Sequence, residues 1–160
     1  MTKRLYGYNG QRILVSPEDY ELLSTKGLWS TSGKYAMSMW WGKQVPMHRI
    51  VLENKLGREL LKGEFVDHIN GDGFDNRREN LRLVTAQQNS WNTRAGSNSV
   101  SGYRGVWYDK RFNKYRAHVI DGTHRIYLGT FDTAEDAAYM RDQFAYGLRG
   151  EYAYLNVLDK

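Results

Sequence analysis

Residues 66 to 92 read VDHINGDGFDNRRENLRLVTAQQNSWN, and this run limits the fold more than any other part of the chain. Val66, Asp67 and His68 read as the end of a strand. Leu81, Arg82, Leu83 and Val84 read as its hairpin partner, across a loop rich in Gly and Asn. Thr85 stands where it can cap a helix that starts at Ala86, which puts Asn89 in the second turn. A carboxylate on a strand and an amide on a helix can then converge on one ion.

Hydrolysis of a phosphodiester needs a water that loses a proton as it attacks. It also needs positive charge where the phosphorus and the leaving oxygen turn negative. One imidazole and one divalent ion do both jobs. Histidine suits the base role because its ordinary pKa, about 6.5, lies near working pH. A carboxylate and an amide oxygen suit magnesium or manganese. The chain has no cysteine, which removes disulfides and every Cys-ligated zinc site, and no zinc is expected. Two plainer readings compete. The stretch from Gly71 to Asn76 can be an ordinary polar loop. Counted from His68, the residues Asn70, Asp72, Gly73, Asn76 and Glu79 also fall at positions of a calcium-binding loop. That reading has His68 where an aspartate is required, poor helix before it and strand after it.

The order of parts resembles the active site of HNH endonucleases of the phage and homing type, over residues 45 to 92 and more loosely toward the start of the chain. The resemblance implies a ββα-metal fold in which His68 is the general base and Asp67 and Asn89 are metal ligands. Asn80, in RREN, takes the family's middle position, where the residue orients the base. The last position of the motif holds Asn89 in place of histidine, as in the phage-type subgroup, which keeps oxygen coordination. His48 and Arg49, in MHRIV, match a His-Arg pair common in the family. They are candidates for support of the site or for a phosphate contact, and the plain alternative for His48 is a packed histidine at a strand end. Arg49, Arg77, Arg78 and Arg82 can contact phosphates or be solvated surface charge.

The segment GSNSVSG, residues 96 to 102, is small, polar and uncharged, as a linker is. It divides the chain into an expected nuclease domain, 1–95, and a second domain, 103–160. In the first, Ile13 to Val15 read as a strand and Pro17 to Ser24 as a helix. Ser16 stands at its N-cap, with Asp19 three residues on. KYAMSMWW reads as a strand, and VPMHRIVLENKLG begins extended and turns helical near Ile50.

The second unit reads as three strands, Tyr103 to Tyr108, Lys114 to Ile120 and Arg125 to Thr130, joined by short polar turns. A helix follows, with Asp132 and Thr133 as caps and a face of Ala134, Ala137, Ala138, Phe144, Ala145 and Leu148. From Gly102 to Phe131 there are six Lys/Arg and two Asp, a balance of +4. From Asp132 to Lys160 there are three Lys/Arg and six Asp/Glu, a balance of −3. A positive sheet backed by an acidic helix offers one face to a polyanion. Alternation puts Lys114, Arg116 and His118 on that face, with Arg125 and Tyr127 beside them. Tyr115, Ala117, Val119, Ile126 and Leu128 turn toward the helix.

The string YRGVWYDKRFNKYRAHV, with RIYLGTFDTAEDAA and the closing YLN, resembles the Apetala-two/ethylene-response-factor DNA-binding domain over nearly all of residues 102 to 157. The resemblance implies that the sheet reads the major groove. By matching positions, Arg104, Arg125 and Tyr127 are candidates for base contact, and Lys114 matches a basic position. Lys110 and Arg116 are expected to attract phosphates. Trp107, His118 and Ile120 replace the family's usual contact residues, so a GC-rich target does not carry over, and Trp107 is expected in the core.

The expected fold class is α+β: an HNH ββα-metal domain followed by a three-stranded antiparallel sheet packed on one helix. The expected function is metal-dependent, site-specific cleavage of double-stranded DNA, with nicking by a monomer. No signal peptide and no membrane span are read in the sequence, which places the protein in the cytoplasm of a bacterial or phage-infected cell. A DNA-binding regulator on a decayed nuclease fold is the main alternative, and RNA cleavage is a third.

Overall fold

The structure is a computed structural model that describes residues 1–25, 27–40, 42–92 and 99–158. Trp41 of the KYAMSMWW strand and residues 96–98 of the GSNSVSG linker lie outside the described residues. The chain is mixed α+β and divides into two compact units, Met1–Asn89 and Ser90–Lys160.

In the first unit, strands β1 (Lys3–Tyr6) and β2 (Arg12–Val15) pair antiparallel. Helix α1 spans Pro17–Ser24, with proline in its first turn. Ser16 does not cap it with its side chain. Its Oγ accepts from the Arg78 amide at 2.9 Å instead. Asp19 is fully buried and receives Arg78 Nε and Nη2 and Asn54 Nδ2, each at 2.7 Å. The carboxylate that reads as helix punctuation is thus a long-range tie.

A hairpin of β3 (Met37–Trp40) and β4 (Lys43–Pro46) leads into helix α2, Met47–Leu56. This helix starts three residues before the expected Ile50. Pro46 sits extended at its N-cap (φ −76°, ψ 143°), and Met47, Ile50, Val51 and Leu52 form its buried face. His48 therefore lies in the first turn of a helix, not at a strand end.

Next come β5 (Glu64–His68), the two-residue β6 (Asp75–Asn76), a short 3-10 turn (Arg78–Asn80), β7 (Leu81–Thr85) and helix α3 (Ala86–Trp91). β5 and β7 form the expected antiparallel pair, with Asp67 opposite Arg82 and His68 opposite Leu81. Thr85 and Gln88 cap α3 reciprocally. The Gln88 amide donates to Thr85 Oγ1 at 3.3 Å, and the Thr85 amide donates to Gln88 Oε1 at 2.9 Å. β6 adds to β2 in parallel, with Leu14 opposite Asp75 and Val15 opposite Asn76. The core beneath gathers Ile13, Val15, Leu23, Met47, Val51 and Leu81.

In the second unit, β8 (Val106–Asp109), β9 (Lys114–Asp121) and β10 (His124–Phe131) form an antiparallel sheet with β9 in the centre. β8 starts later than expected, after Gly105 at φ +76°. Helix α4 (Ala134–Arg149) is capped by Thr133 Oγ1, which accepts from the Asp136 amide at 3.1 Å. Val106 and Ala117 pack with Ala137 and Ala138, and Val119 packs with Ala145. Small residues on the helix let it lie close to the sheet. Among the described residues, no helix is long and apolar enough to cross a membrane.

Candidate active centre and DNA-binding face

Asp67 and His68 end β5 and are both buried, at 6% and 5% exposure. Successive strand residues point to opposite faces. Asp67 therefore shares a face with Arg82, whose Nε and Nη2 donate to its Oδ2 at 2.9 and 2.7 Å. The His68 ring stacks on Tyr35 at 5.7 Å between centroids and meets the edge of His48 at 5.0 Å. Tyr35 and His48 also meet edge to face at 4.9 Å. Two rings from two other segments thus fix the imidazole plane.

A further partner of the imidazole, Asn76, was not legible as a site residue. Its Oδ1 lies 3.3 Å from His68 Nε2, and the residue is fully buried. Asn80, expected to orient the base, has its side-chain bonds in the loop that follows His68. Its Oδ1 accepts from the Asn70 amide at 3.0 Å, and its Nδ2 donates to Asn70 Oδ1 at 3.0 Å and to the Asp75 carbonyl at 2.8 Å. That loop is stapled by its own side chains. Asn70 Oδ1 accepts from the Asp72 amide and Asp72 Oδ1 from the Phe74 amide, both at 2.9 Å. A strand enters it and a strand follows the 3-10 turn, so the helix-loop-helix frame of a calcium-binding hand is absent among these residues.

Burial pulls the His68 pKa below its ordinary value, against the Asn76 contact and the Asp67, Asp72 and Asp75 carboxylates. Burial likewise pushes His48 down to about 3, helped by His68 and Arg49. The His48 Nδ1 is buried with no hydrogen-bond partner among the described residues. Both imidazoles are therefore neutral at neutral pH. Burial works to raise the Asp75 carboxyl, but the hydrogen bonds and charge of Arg77 and the Asn70 hydrogen bond together hold it low.

The four arginines considered for phosphate contact are all paired with carboxylates within the unit. Arg49 meets Glu53, Arg77 meets Asp75 and Glu79, Arg78 meets Asp19, and Arg82 meets Asp67.

A divalent ion implied by the family would have Asp67 and the exposed Asn89 of α3 as oxygen donors. Among the described residues, no three His, Cys, Asp or Glu side chains gather to hold a metal. A carboxylate and an amide from two elements fit an ion that keeps most of its waters, as magnesium does, and not a closed structural site.

In the second unit the register sets one outer face. Trp107 lies opposite Arg116, Tyr127 opposite His118 and Arg125 opposite Ile120. Trp107 belongs to this face rather than to the core, because Val106 is the residue that turns inward opposite Ala117. Its ring meets His118 edge to face at 5.0 Å. Arg125, Tyr127 and Ile120 are exposed, as is Lys110 in the β8–β9 turn. Arg116 pairs with Asp109 at 2.7 Å and lies over the Phe112 ring, and Lys114 pairs with Asp132. Burial lowers the His118 pKa, with Arg125 and Arg141 adding.

Arg104 stands apart from this group. Its Nη1 donates to the Trp91 carbonyl at 2.6 Å and its Nη2 to the Ser90 carbonyl at 3.2 Å. Burial first, then the Arg141 and Arg149 charges, pull it down to about 10. Those contacts hold its guanidinium to the unit's own backbone.

Residues 45–91 match the HNH endonuclease family, and residues 101–151 match the AP2 domain. An uncharacterized HNH endonuclease of Acanthamoeba polyphaga mimivirus is 31% identical over 156 residues, covering 94% of this chain and 77% of that protein. Protein 3.8 of Escherichia phage T7 is 29% identical over 76 residues, 48% of this chain and 63% of its own length. APETALA2-like protein 2 of Oryza sativa subsp. indica is 42% identical over 65 residues, 40% of this chain and 15% of its own length. No solved structure matches the chain at a significant level. The mimivirus relative spans both units, the phage T7 and rice proteins each cover less than half of the chain, and on these matches the chain belongs to the HNH endonuclease family, with an AP2 domain joined to its HNH segment.

Proposed function

We propose that this chain is a metal-dependent, site-specific DNA endonuclease of the phage or homing type. The outer face of the second unit holds the duplex, and the first unit hydrolyses one phosphodiester per encounter, giving a nick. The observation that carries this reading is the state of His68: buried at a strand end beside Asp67, fixed by Tyr35, His48 and Asn76, and kept neutral by burial. A neutral imidazole can accept the proton of an attacking water.

His68 takes that proton while the water oxygen bonds to phosphorus. The bond from phosphorus to the leaving sugar oxygen then breaks. Asp67 and Asn89 would hold a divalent ion, which would supply positive charge for the developing oxyanion. Asn80 keeps the loop behind the base closed. On the sheet, Arg125 and Tyr127 meet base edges, while Lys110, Lys114 and Arg116 draw the backbone. Arg104 acts as an anchor of the domain.

The alternative, a DNA-binding regulator on a decayed nuclease fold, draws on one observation. Arg82 already sets two N–H groups on the Asp67 oxygen nearest to it. Supercoiled plasmid separates the two readings. The wild-type chain with magnesium or manganese is expected to yield relaxed circles, and EDTA or His68→Ala is expected to stop this while binding persists. Nicking that survives His68→Ala removes the catalytic assignment. Binding without nicking in the wild type supports the regulator.

A further inference from the structure

We propose that the second unit binds a phosphate group in a cavity between Arg104, Gly105, His118, Ile120, Arg141 and Arg149. The cavity measures about 110 Å³, whereas a single water needs about 10–15 Å³. It lies where the pairing of β8 with β9 stops. The ladder ends with Val106 opposite Ala117, and beyond it the His118 amide donates to the Gly105 carbonyl at 2.8 Å. Gly105 has φ +76°, and a Cβ there would sit 2.5 Å from the His118 carbonyl oxygen and 3.3 Å from Arg141 Nε. Glycine thus keeps open the space beside that N–H.

Arg141 is 2% exposed and Arg149 8%. The Nε of each is buried with no hydrogen-bond partner among the described residues. Their other bonds go mostly to neutral groups. Arg141 Nη1 reaches the Tyr154 carbonyl and, at 3.1 Å, Asp142 Oδ1. Arg149 Nη2 reaches the Ile120 carbonyl, and its guanidinium lies over the Trp91 ring at 5.3 Å. Asp142 in turn accepts the Asn156, Val157 and Leu158 amides on Oδ2. One buried carboxylate therefore serves three guanidinium groups, and the exposed Asp121 only partly offsets Arg149.

Buried N–H groups without acceptors cost free energy, and so do buried charges left unneutralised. Burial first, and then the Arg141 charge, lower the Arg149 pKa, and both arginines act on Arg104 in the same way. An oxyanion answers both costs: its oxygens accept from several guanidinium N–H groups, and its charge offsets theirs. Arg141 and Arg149 stand about two turns apart on α4. Donors that converge from two such positions suit a tetrahedral phosphate better than a planar carboxylate, which a single guanidinium fork can satisfy. Free phosphate and the backbone of a duplex both carry this chemistry. His118 and Ile120 also belong to the outer face, which puts the cavity at the rim of the surface that holds DNA in the reading above. The duplex as source rests on that reading, and the phosphate site does not.

The test follows the Nε–H signals of Arg141 and Arg149 in proton–nitrogen correlation spectra of the full chain, without metal and at pH 7. Side-chain triple-resonance spectra assign them. Inorganic phosphate is expected to shift both signals to saturation, and sodium chloride at the same ionic strength to leave them in place. By calorimetry, Arg149→Gln is expected to weaken phosphate about 10- to 100-fold. Duplex DNA then identifies the source. Displacement of phosphate by the duplex, or the same shifts with duplex alone, assigns the site to the DNA backbone. Phosphate binding that the duplex does not disturb assigns it to the free ion. Signals that move with neither ligand, or that chloride moves equally, overturn the proposal, as does undiminished affinity in Arg149→Gln. If that variant does not fold, the wild-type spectra decide alone. Phosphate shifts in a chain that binds no DNA defeat the DNA-binding reading and leave the site standing. A chain that binds DNA while neither phosphate nor duplex moves either signal does the reverse.

Discussion

Arg82 faces Asp67 directly across the β5–β7 ladder and places Nε at 2.9 Å and Nη2 at 2.7 Å from the same carboxylate oxygen. Their side chains are 11% and 7% exposed. Removing one partner of a buried pair strands the other charge, which costs about 3–5 kcal/mol. Arg82→Leu is therefore expected to lower the unfolding free energy by about 3 kcal/mol. The double variant with Asp67→Asn should regain much of that loss. Urea unfolding of the four members of the cycle measures it, and additive losses would refute the coupling.

His48 predicts a specific loss of stability in acid. The unfolded chain protonates this residue near pH 6.5, whereas the folded chain resists until about 3. Between those values the unfolded state holds more protons, so stability falls as pH falls, by at most about 1.4 kcal/mol per pH unit. Above pH 6.5 this residue contributes no such penalty. His48→Phe keeps a ring against Tyr35 and cannot titrate. Its urea midpoint should drop less than that of the wild type between pH 7 and pH 5. Equal drops would exclude His48 as the cause.

Gly73 marks a close approach of the loop after His68 to its neighbour. A Cβ there would lie 2.1 Å from the Lys34 carbonyl oxygen and 2.8 Å from Tyr35 Cδ1. Backbone cannot yield as a side-chain tip does, so Gly73→Ala is expected to cost about 1–3 kcal/mol. Because Tyr35 stacks on His68, nicking should fall as well. Gly33→Ala has open space around it and serves as the control. Thermal melts and plasmid assays on both variants check this.

Two residues of the sheet face should act in opposite directions on DNA. Arg125 is exposed and has no ion-pair partner among the described residues. Arg125→Ala is expected to weaken binding, relax site choice and reduce the salt slope by about 1. Asp109 neutralises Arg116. Asp109→Ala should strengthen binding and steepen its salt dependence. Anisotropy titrations across a range of salt concentrations test both, and a weaker Asp109→Ala complex would contradict the ion-pair account.

Much of this was readable in the chain, for physical reasons. The span of α1 follows from proline and its apolar spacing, and the β5–β7 pairing follows from two short runs around a loop of turn-forming residues. Thr85 announces α3 through a cap that acts locally. What escaped depends on distant parts of the chain. Asn76 looks like loop polarity until β6 pairs with β2 and buries it. Ser16 and Asp19 look like helix caps until Arg78 reaches them from 59 to 62 residues away. Trp107 was expected inside, yet strand parity beside the inward Val106 sends it outward. Arg104 keeps its predicted place in the chain, but its guanidinium finds backbone carbonyls whose position no local pattern encodes.

The parallel pairing of β2 with β6 means that the loop after His68 is not a portable cassette. Phe74 supplies the carbonyl that the Leu14 amide reaches at 2.9 Å, and Val15 flanks Asn76. A fragment trimmed to residues 45–91, the stretch that matches the HNH family, would leave that strand edge bare and Asn76 open to water. Moving the HNH segment onto another domain therefore requires transplanting the lead-in from Lys3 onward together with the motif.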